Sequence, residues 1–342
     1  MAGRQSSERN YDAWLHWHLS CRCNLSCVYC YDSLLKDGLA VALKRIFSRV
    51  KKEAIAISRG KFSESIRRIR LGIKKIIGRA AKTTGTIDVA ALTSALEKTG
   101  KIFRVSLTGG GEPFLADNII EACSRITEKH YLSLNTNLIS GKIEEFCEKI
   151  DPQRVVAIEA SLHIKELERL GLTDVFIRKF SLCKERGFNI STEEVAYPPL
   201  LEEVEKYKRF FQKKGIQLQF IGFNGYYNRK EYPAAYTQRE LEIFGLKDTP
   251  HFQMFRPRGK ICNAGYNAAV IYENGDVSAC WREQANLGSI YNGFKLTNRL
   301  TVCSQDHCGC PLNVYDRYLF EKALKECPGN PIRQAGSLRQ GT

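Results

Sequence analysis

The segment CNLSCVYC at residues 23–30 places Cys23, Cys27 and Cys30 on one short stretch with C-x3-C-x2-C spacing. Cubane iron–sulfur clusters are normally held by four cysteine thiolates. Three thiolates can bind three irons of a 4Fe–4S cluster and leave the fourth iron open to a substrate or cofactor. The alternatives are a redox pair or structural zinc, which usually takes two cysteine pairs or a combination of cysteine and histidine. The cluster is favoured, because Gly110, Gly111 and Glu112 follow at the end of a later predicted strand.

The chain on either side of this segment alternates between strand and helix patterns. Strands are predicted over residues 13–19, 102–107, 131–135, 155–161, 189–195 and 217–222. Helices are predicted between them over residues 88–97, 116–129, 141–149, 171–186 and 198–214, the first with Asp88 as its N-cap. Strands that alternate with helices imply βα units and a parallel sheet.

Polar residues follow several of the predicted strands. They lie in the segment GGGEP at 109–113, at Asn135 and Asn137, and at Ser161. In barrel-like α/β folds the chemistry lies where the strands end on their carboxyl side, so we expect these residues to converge with the cysteine loop. A dinucleotide-binding turn is excluded, because GGGEP lacks the G-x-G-x-x-G order.

The cysteine spacing, the aromatic Tyr29 before the last cysteine and the later segment GGEP at 110–113 together resemble the radical S-adenosylmethionine (radical SAM) enzymes. The resemblance covers about residues 13–35 and 86–310. It implies an α/β fold with a partial (β/α)6, TIM-like barrel. It also implies a 4Fe–4S cluster on Cys23, Cys27 and Cys30, whose open iron chelates SAM. Reductive cleavage of SAM would then give a 5′-deoxyadenosyl radical that abstracts a hydrogen atom.

The same resemblance implies SAM-binding roles for residues at the strand ends. Gly110, Gly111 and Glu112 would hold the methionine amino group, although a tight turn after a strand would give the same local pattern. Ribose and carboxylate contacts are implied for Asn135, Asn137 and Ser161, and an adenine contact for Tyr29. Helix capping by the three polar residues and loop packing by the tyrosine stay open. His163 is a candidate substrate contact or an ordinary surface histidine.

A second cysteine set lies towards the other end of the chain: Cys262, Cys280, Cys303, Cys308 and Cys310. Cys262 and Cys280 flank an apolar hairpin, and its turn residues Asn274 and Gly275 are a strong hairpin signal. The C-x12-G-x4-C interval resembles the opening of SPASM and twitch extensions, which implies one auxiliary 4Fe–4S cluster. The last three cysteines depart from the SPASM spacing, and a zinc site stays open.

Three further cysteines need no metal. Cys123, Cys147 and Cys183 fall on predicted helices, so we expect them to be core residues. Cys327 is a candidate spare ligand.

The formal net charge of +15 is concentrated between Leu34 and Lys82, where 15 Lys and Arg residues stand against three acids. Apolar residues recur there at intervals of three and four, which predicts two cationic amphipathic helices joined near Gly60. Such helices commonly lie in a membrane interface, but they can also dock on the barrel. Nucleic-acid binding is disfavoured, because Phe47 and Phe62 are the aromatic residues available for base stacking.

These patterns predict four regions. Residues 11–33 and 84–225 form the barrel, 34–83 a basic helical insertion, 226–328 a SPASM- or twitch-like auxiliary domain and 329–342 a flexible tail. The polar start of the chain and the many cysteines without a secretory signal indicate the cytoplasm. A peripheral contact with the inner membrane face through residues 40–80 stays open.

The resemblance implies an oxidoreductase- or epimerase-type enzyme that takes electrons from a flavodoxin- or ferredoxin-type donor. Peptide-modifying relatives often carry a recognition domain before the cysteine loop, and 22 residues precede Cys23 here. We therefore expect a sugar-like or other small substrate, lipid-linked if the basic helices reach a membrane, and oxidation or epimerisation as the outcome. A peptide or protein maturase is the alternative enzyme. A metal-binding module on anionic membrane or nucleic acid is the non-enzymatic alternative.

Overall fold

The computed structural model describes residues 10–19, 22–30, 86–108, 111–247, 249, 257–281, 285–305 and 316–328. The strands are β1 (Ala13–His18), β2 (Phe103–Thr108), β3 (Tyr131–Thr136), β4 (Val155–Ser161), β5 (Ile190–Val195), β6 (Phe220–Ile221), β7 (Gly225–Tyr227), β8 (Lys230–Tyr232), β9 (Ile261–Cys262), β10 (Ala268–Ile271), β11 (Asp276–Ser278), β12 (Asn286–Ser289), β13 (Gly293–Phe294) and β14 (Thr301–Val302). The helices are α1 (Val89–Glu97), α2 (Ile119–Thr127), α3 (Lys142–Lys149), α4 (Ile164–Leu170), α5 (Thr173–Glu185), α6 (Val204–Lys213), α7 (Gln238–Phe244) and α8 (Arg317–Glu326).

Ten of these strands form one sheet in the order β13-β12-β11-β10-β1-β2-β3-β4-β5-β6. Strands β1 to β6 run parallel, each beside the next along the chain. The hairpin β10–β11 extends the sheet at the other side of β1, because β10 pairs with β1 in parallel. The sheet does not close, and this confirms the expected α/β partial barrel.

Alternation along the parallel strands separates a packed outer face from a polar inner face. On β2, Phe103, Val105 and Leu107 are fully buried in the large core that includes the helices. Arg104 and Ser106 point the other way, because successive side chains in a strand face opposite sides. The inner side of the sheet is therefore polar, and it is the side on which a site can form.

The predicted helices and strands are confirmed with local differences. Asp88 caps α1 through its side chain. The helix predicted over 171–186 is preceded by an extra helix, α4, which ends at Gly171 in the left-handed conformation. Pro198 begins a 3-10 turn rather than the α-helix itself, because α6 starts at Val204. After β6, the β7–β8 hairpin and α7 follow along the chain.

The three cysteines expected in the core are there. Cys123, Cys147 and Cys183 are all buried, and the Sγ atoms of the last two lie 3.4 Å apart between α3 and α5. In the described part of the chain, no helix has the length and apolar character needed to cross a bilayer.

A buried ion pair lies near the amino-terminal end of β2. The guanidinium of Arg104 lies 3.0 Å from the Asp316 carboxylate, and both side chains are buried. Asp316 also accepts hydrogen bonds from the Tyr11 hydroxyl at 2.9 Å and, as the N-cap of α8, from the Leu319 backbone N–H. The Asp316 side chain therefore ties α8 to β2 and to Tyr11, just before β1.

Replacing Asp316 with asparagine should destabilise the protein by about 3 kcal/mol, since removal of one partner leaves a buried charge uncompensated. Asparagine is itself a good N-cap, so the substitution isolates the lost charge from the lost cap. Chemical denaturation should show a lower midpoint for this variant. Glu321→Gln is the matched control, because it breaks the exposed pair with Arg317 on the same helix and should leave the midpoint unchanged. Equal midpoints for both variants would contradict a structural role for the buried pair.

Candidate functional site

The cysteine loop lies at the carboxyl end of β1. Cys27 is buried, whereas Cys23 and Cys30 are half-buried. The Leu25 backbone N–H donates to Cys23 Sγ at 3.4 Å, and the Cys30 N–H donates to the Cys27 carbonyl at 3.1 Å. Burial, with the two neighbouring thiols, raises the pKa of Cys27.

These thiols suit a cluster better than a single ion. Within the described ranges, no three His, Cys, Asp or Glu side chains converge on a point that could hold one metal ion. In a cubane, however, each thiolate binds a different iron, so the three sulfurs need not converge on one point. An N–H donor to a ligand sulfur, as at Cys23, is also one of the contacts that tune iron–sulfur clusters. The donor set therefore fits a 4Fe–4S cluster with three protein ligands.

Gly111 brings the loop after β2 into direct contact with the cysteine loop. A Cβ atom at Gly111 would overlap the backbone of Arg22, so only glycine allows the approach. Directly after it, the Glu112 N–H donates to the Arg22 carbonyl at 2.7 Å. Gly110 lies outside the described residues.

The Glu112 carboxylate holds the ends of β2 and β3 together. It accepts hydrogen bonds from the Thr136 hydroxyl and the Asn137 N–H, both at 2.7 Å, and from the Phe114 N–H at 3.1 Å. Burial raises its pKa, although these donors oppose the shift. Among the described residues it has no cationic partner, so it is a buried carboxylate that neutral donors alone hold in place.

The polar residues at the ends of β3 and β4 face the same region. The Asn137 amide donates to Asn24 Oδ1 at 2.7 Å and lies 4.0 Å from Cys23 Sγ. The Ser161 hydroxyl donates to Asn135 Oδ1 at 2.7 Å. Asn135 and Ser161 are thus paired across neighbouring strands, and the structure shows no helix-capping bond for either of them.

Tyr29 and His163 meet directly. The Tyr29 hydroxyl lies 3.1 Å from His163 Nδ1 and donates to Glu194 at 2.9 Å. Glu194 also accepts the Ile164 N–H at 2.7 Å. Burial raises the pKa of Glu194 to about 7 and lowers that of His163 to about 4. His163 is therefore a half-buried member of this network and not an ordinary surface histidine.

Three acidic residues were not singled out from the sequence: Glu159 on β4, and Glu193 and Glu194 on β5. Glu159 and Glu193 face the inner side of the barrel, and Glu194, the next residue, faces the other side. Glu159 interrupts the apolar strand β4, and charged residues are seldom buried without a partner. That interruption was the signal available in the sequence. Glu159 lines an internal cavity of about 210 Å³ together with His16, Arg104 and Asn135.

The structure brings three of the distal cysteines near the barrel. Cys262 and Cys280 both belong to the apolar cluster that contains Trp14 of β1. Cys262 lies opposite Thr301 in the β9–β14 ladder, so Cys303, two residues further, is on the same face. Cys308 and Cys310 lie outside the described residues, as do the basic segment 34–83 and the tail. Cys327 is fully buried and donates to the Asn298 carbonyl at 3.6 Å.

Trp281 connects the second cysteine set to the inner side of the barrel. It follows Cys280 in the chain, and its ring packs edge-on against His16 and His18 of β1, with centroids 5.4 Å apart in each case. His18 in turn lies 3.1 Å from the Glu273 carboxylate of the hairpin turn. The cysteine-bearing hairpin is therefore in contact with the face that lines the cavity.

No family model and no curated protein matches the chain. Solved structures do match it. Native anSMEcpe with bound AdoMet is similar over 82% of this chain and 79% of that chain, with a TM-score of 0.52 and 17% identity. Histidine-tagged anSMEcpe with bound AdoMet gives 0.53 at 17% identity over 82% and 75%. Native anSMEcpe with bound AdoMet and the Cp18Cys peptide gives 0.51 at 16% identity over 82% and 78%.

At these identities the likeness establishes the fold. The chain has the same partial α/β barrel as the AdoMet-bound anSMEcpe structures, which is the fold that the resemblance to radical SAM enzymes implies. Its thiol loop and the buried Glu112 lie together at the carboxyl edge of the sheet, and the polar cavity lies on the inner face of strands β1 to β4.

Proposed function

We propose that this chain is a radical SAM enzyme. One observation carries the proposal: Gly111 and Glu112 are packed against the backbone of Arg22, next to a loop that bears three thiols in C-x3-C-x2-C spacing. This contact joins the two motifs that carry the resemblance. The similar fold of AdoMet-bound anSMEcpe supports the same assignment.

Each group of site residues would have a separate role in binding the cluster or SAM. Cys23, Cys27 and Cys30 hold the cluster, which when bound would supply the electron that splits SAM into methionine and a 5′-deoxyadenosyl radical. Glu112, a buried carboxylate without a cation among the described residues, offers a charge complementary to the methionine ammonium group, beside Gly110 and Gly111. Asn135, Asn137 and Ser161 offer hydrogen bonds to the ribose and carboxylate. Tyr29, held by Glu194, flanks the adenine.

The reaction would be abstraction of a hydrogen atom from a sugar-like or other small substrate. That substrate would be lipid-linked if the basic helices reach a membrane. Cys262, Cys280, Cys303, Cys308 and Cys310 would supply the ligands of one auxiliary 4Fe–4S cluster. The contact of Trp281 with His16 and His18 supports a place for that cluster beside the cavity. There it would accept the substrate electron, giving oxidation. If instead a cysteine or tyrosine side chain returned a hydrogen atom to the substrate radical, the outcome would be epimerisation.

A peptide or protein substrate is the second candidate. This candidate is supported by anSMEcpe, a protein with the same fold as this chain, whose structure holds both AdoMet and the Cp18Cys peptide. A flavodoxin- or ferredoxin-type electron donor, a cytoplasmic location and a peripheral membrane contact through residues 40–80 belong to the proposal as well. The described residues do not include that segment.

Incubation of the anaerobically reconstituted chain with dithionite and SAM tests the proposal. We expect 5′-deoxyadenosine and methionine in equal amounts, as measured by liquid chromatography with mass spectrometry. A chain that carries clusters but forms neither product would instead be the metal-binding module, and the proposal would be wrong.

A further inference from the structure

Two carboxylates face each other on the inner side of the barrel. In the parallel ladder between β4 and β5, Glu159 lies opposite Ser191 and Ser161 lies opposite Glu193. Side chains two apart on a strand share a face, so Glu159 and Glu193 point to the same side from neighbouring strands. Both are half-buried, and burial raises the pKa of Glu159.

Neither carboxylate has a charged partner in the described part of the chain. The nearest cation is Arg104, which lies close enough to oppose the upward shift of the Glu159 pKa. Its guanidinium, however, is paired with Asp316 at 3.0 Å and donates to the Ser133 hydroxyl at 2.7 Å. A metal ion does not fit either, because no three ligating side chains of the described residues converge here. Two adjacent carboxylates in a region of low dielectric need a proton or a cation.

The space beside them is suited to a ligand. The cavity of about 210 Å³ is lined by Trp14, His16, Asn135 and Glu159, among others, whereas Glu193 lies next to Glu159 on strand β5 and outside this lining. Nδ1 of His16 is buried and has no hydrogen-bond partner among the described residues. Buried polar atoms normally have a partner, so this atom marks a hydrogen-bonding position that a ligand would fill.

We propose that this cavity binds a primary ammonium group of the substrate at Glu159, with Glu193 as the second carboxylate beside it and His16 Nδ1 bonding an adjacent polar group. The inference rests on the proposed function, because it places the substrate inside the barrel, next to the proposed SAM site. The ammonium group can belong to an amino sugar or to a lysine side chain, and the two sources are separated by the experiment below.

Binding of an ammonium group at Glu159 and Glu193 should release a proton. Burial and the neighbouring Glu159 raise the pKa of Glu193 to about 8, so the free pair holds a proton at pH 7. A bound ammonium group favours the ionised form and lowers that pKa, so binding releases about one proton near neutral pH. Affinity should therefore rise about tenfold per pH unit between pH 6.5 and 7.5.

The other groups that face the pair from the neighbouring strands are His16, Arg104, Ser133 and Asn135. His16 of β1 is neutral in that pH range, because burial lowers its pKa to about 3. Arg104 of β2 is paired with Asp316, the N-cap of α8. The inner residues of β3, Ser133 and Asn135, carry no titratable group.

Calorimetric titration of the anaerobic, SAM-saturated holoenzyme tests the inference. The ammonium probes are glucosamine and Nα-acetyl-lysine amide, and the neutral probes are glucose and Nα-acetyl-norleucine amide. We expect one ammonium probe to bind at least tenfold more tightly than its neutral counterpart. Buffers of different ionisation enthalpy should report the released proton. The probe that binds identifies the source of the ammonium group.

Glu159→Gln and Glu193→Gln should each weaken that binding at least tenfold and abolish proton release. Glu185→Gln, on the exposed end of α5, removes the same charge elsewhere and should bind as the unmodified chain does. The proposal is wrong if no ammonium probe binds, if neutral probes bind equally well, or if saturation with SAM abolishes the binding. Proton release from the unmodified chain remains informative if a variant fails to fold. Titrations without SAM test the carboxylates even for a chain that does not cleave SAM.

Discussion

Replacing Cys27 with alanine should abolish the formation of 5′-deoxyadenosine. Cys27 is the buried member of the thiol triplet, and both neighbouring thiols of the loop lie close enough to raise its pKa. With two thiolates left on the loop, a three-ligand cluster cannot form, and the proposed electron source is lost. We expect 5′-deoxyadenosine below the detection limit. We also expect loss of the iron and sulfide that the cluster on the N-terminal triplet would hold.

Two cysteine variants serve as controls for this result. Cys123→Ala removes a thiol that lies in the helical core and should retain SAM cleavage. Cys280→Ala should also retain cleavage while it loses about one cluster's share of iron, because the second cysteine set serves the proposed auxiliary cluster. If Cys27→Ala cleaves SAM as well as Cys123→Ala does, the N-terminal triplet is not the cleavage site.

Replacing Gly111 with alanine should reduce SAM cleavage about a hundredfold, which is the typical cost of a displacement of about 1 Å at a catalytic site. The added Cβ would overlap the Arg22 backbone, so the loop after β2 and the cysteine loop must move apart. Glu112 would then lose its backbone bond to Arg22, and the proposed amine site would move relative to the cluster. Turnover measured at saturating SAM, together with SAM affinity from equilibrium dialysis, reports the effect.

Gly141→Ala is the matched control for Gly111→Ala. Gly141 lies at the N-cap of α3 with helical backbone angles, and nothing lies within 4 Å of a Cβ placed there. This variant should cleave SAM normally and should fold at least as stably, because alanine reduces the freedom of the unfolded chain. Normal cleavage by Gly111→Ala would show that the close approach of the two loops is not needed for the chemistry.

The barrel strands could be predicted from the sequence because each has a local pattern. The βα alternation after residue 86 follows from apolar runs separated by helical periods, and the strand ends then place GGEP, Asn135 and Ser161 at one edge. The helix pair α4–α5 was predicted incompletely, because the left-handed Gly171 between them looks like an ordinary loop residue. The bounds of β6 were also predicted imprecisely, because a strand of two residues has too little alternation to define where it begins and ends.

The contacts between distant segments could not be predicted in this way. Parallel pairing of β10 with β1 depends on packing between segments far apart in the chain, and it is this pairing that brings Trp281 to His16 and His18. The pairing of Asp316 with Arg104 and the facing carboxylates Glu159 and Glu193 have the same origin. No local pattern states which strand neighbours which, so these partners appear only once the sheet is assembled.

The central claim is that Cys23, Cys27 and Cys30 hold a cubane with one iron free of protein ligands. Mössbauer spectroscopy of the anaerobically reconstituted, iron-57-labelled Cys280→Ala variant, with and without SAM, tests it most directly. The account predicts a 4Fe–4S cluster in which one iron of four changes its isomer shift when SAM is added. A cluster whose four irons are all unaffected by SAM, or the absence of any cubane signal, would contradict it.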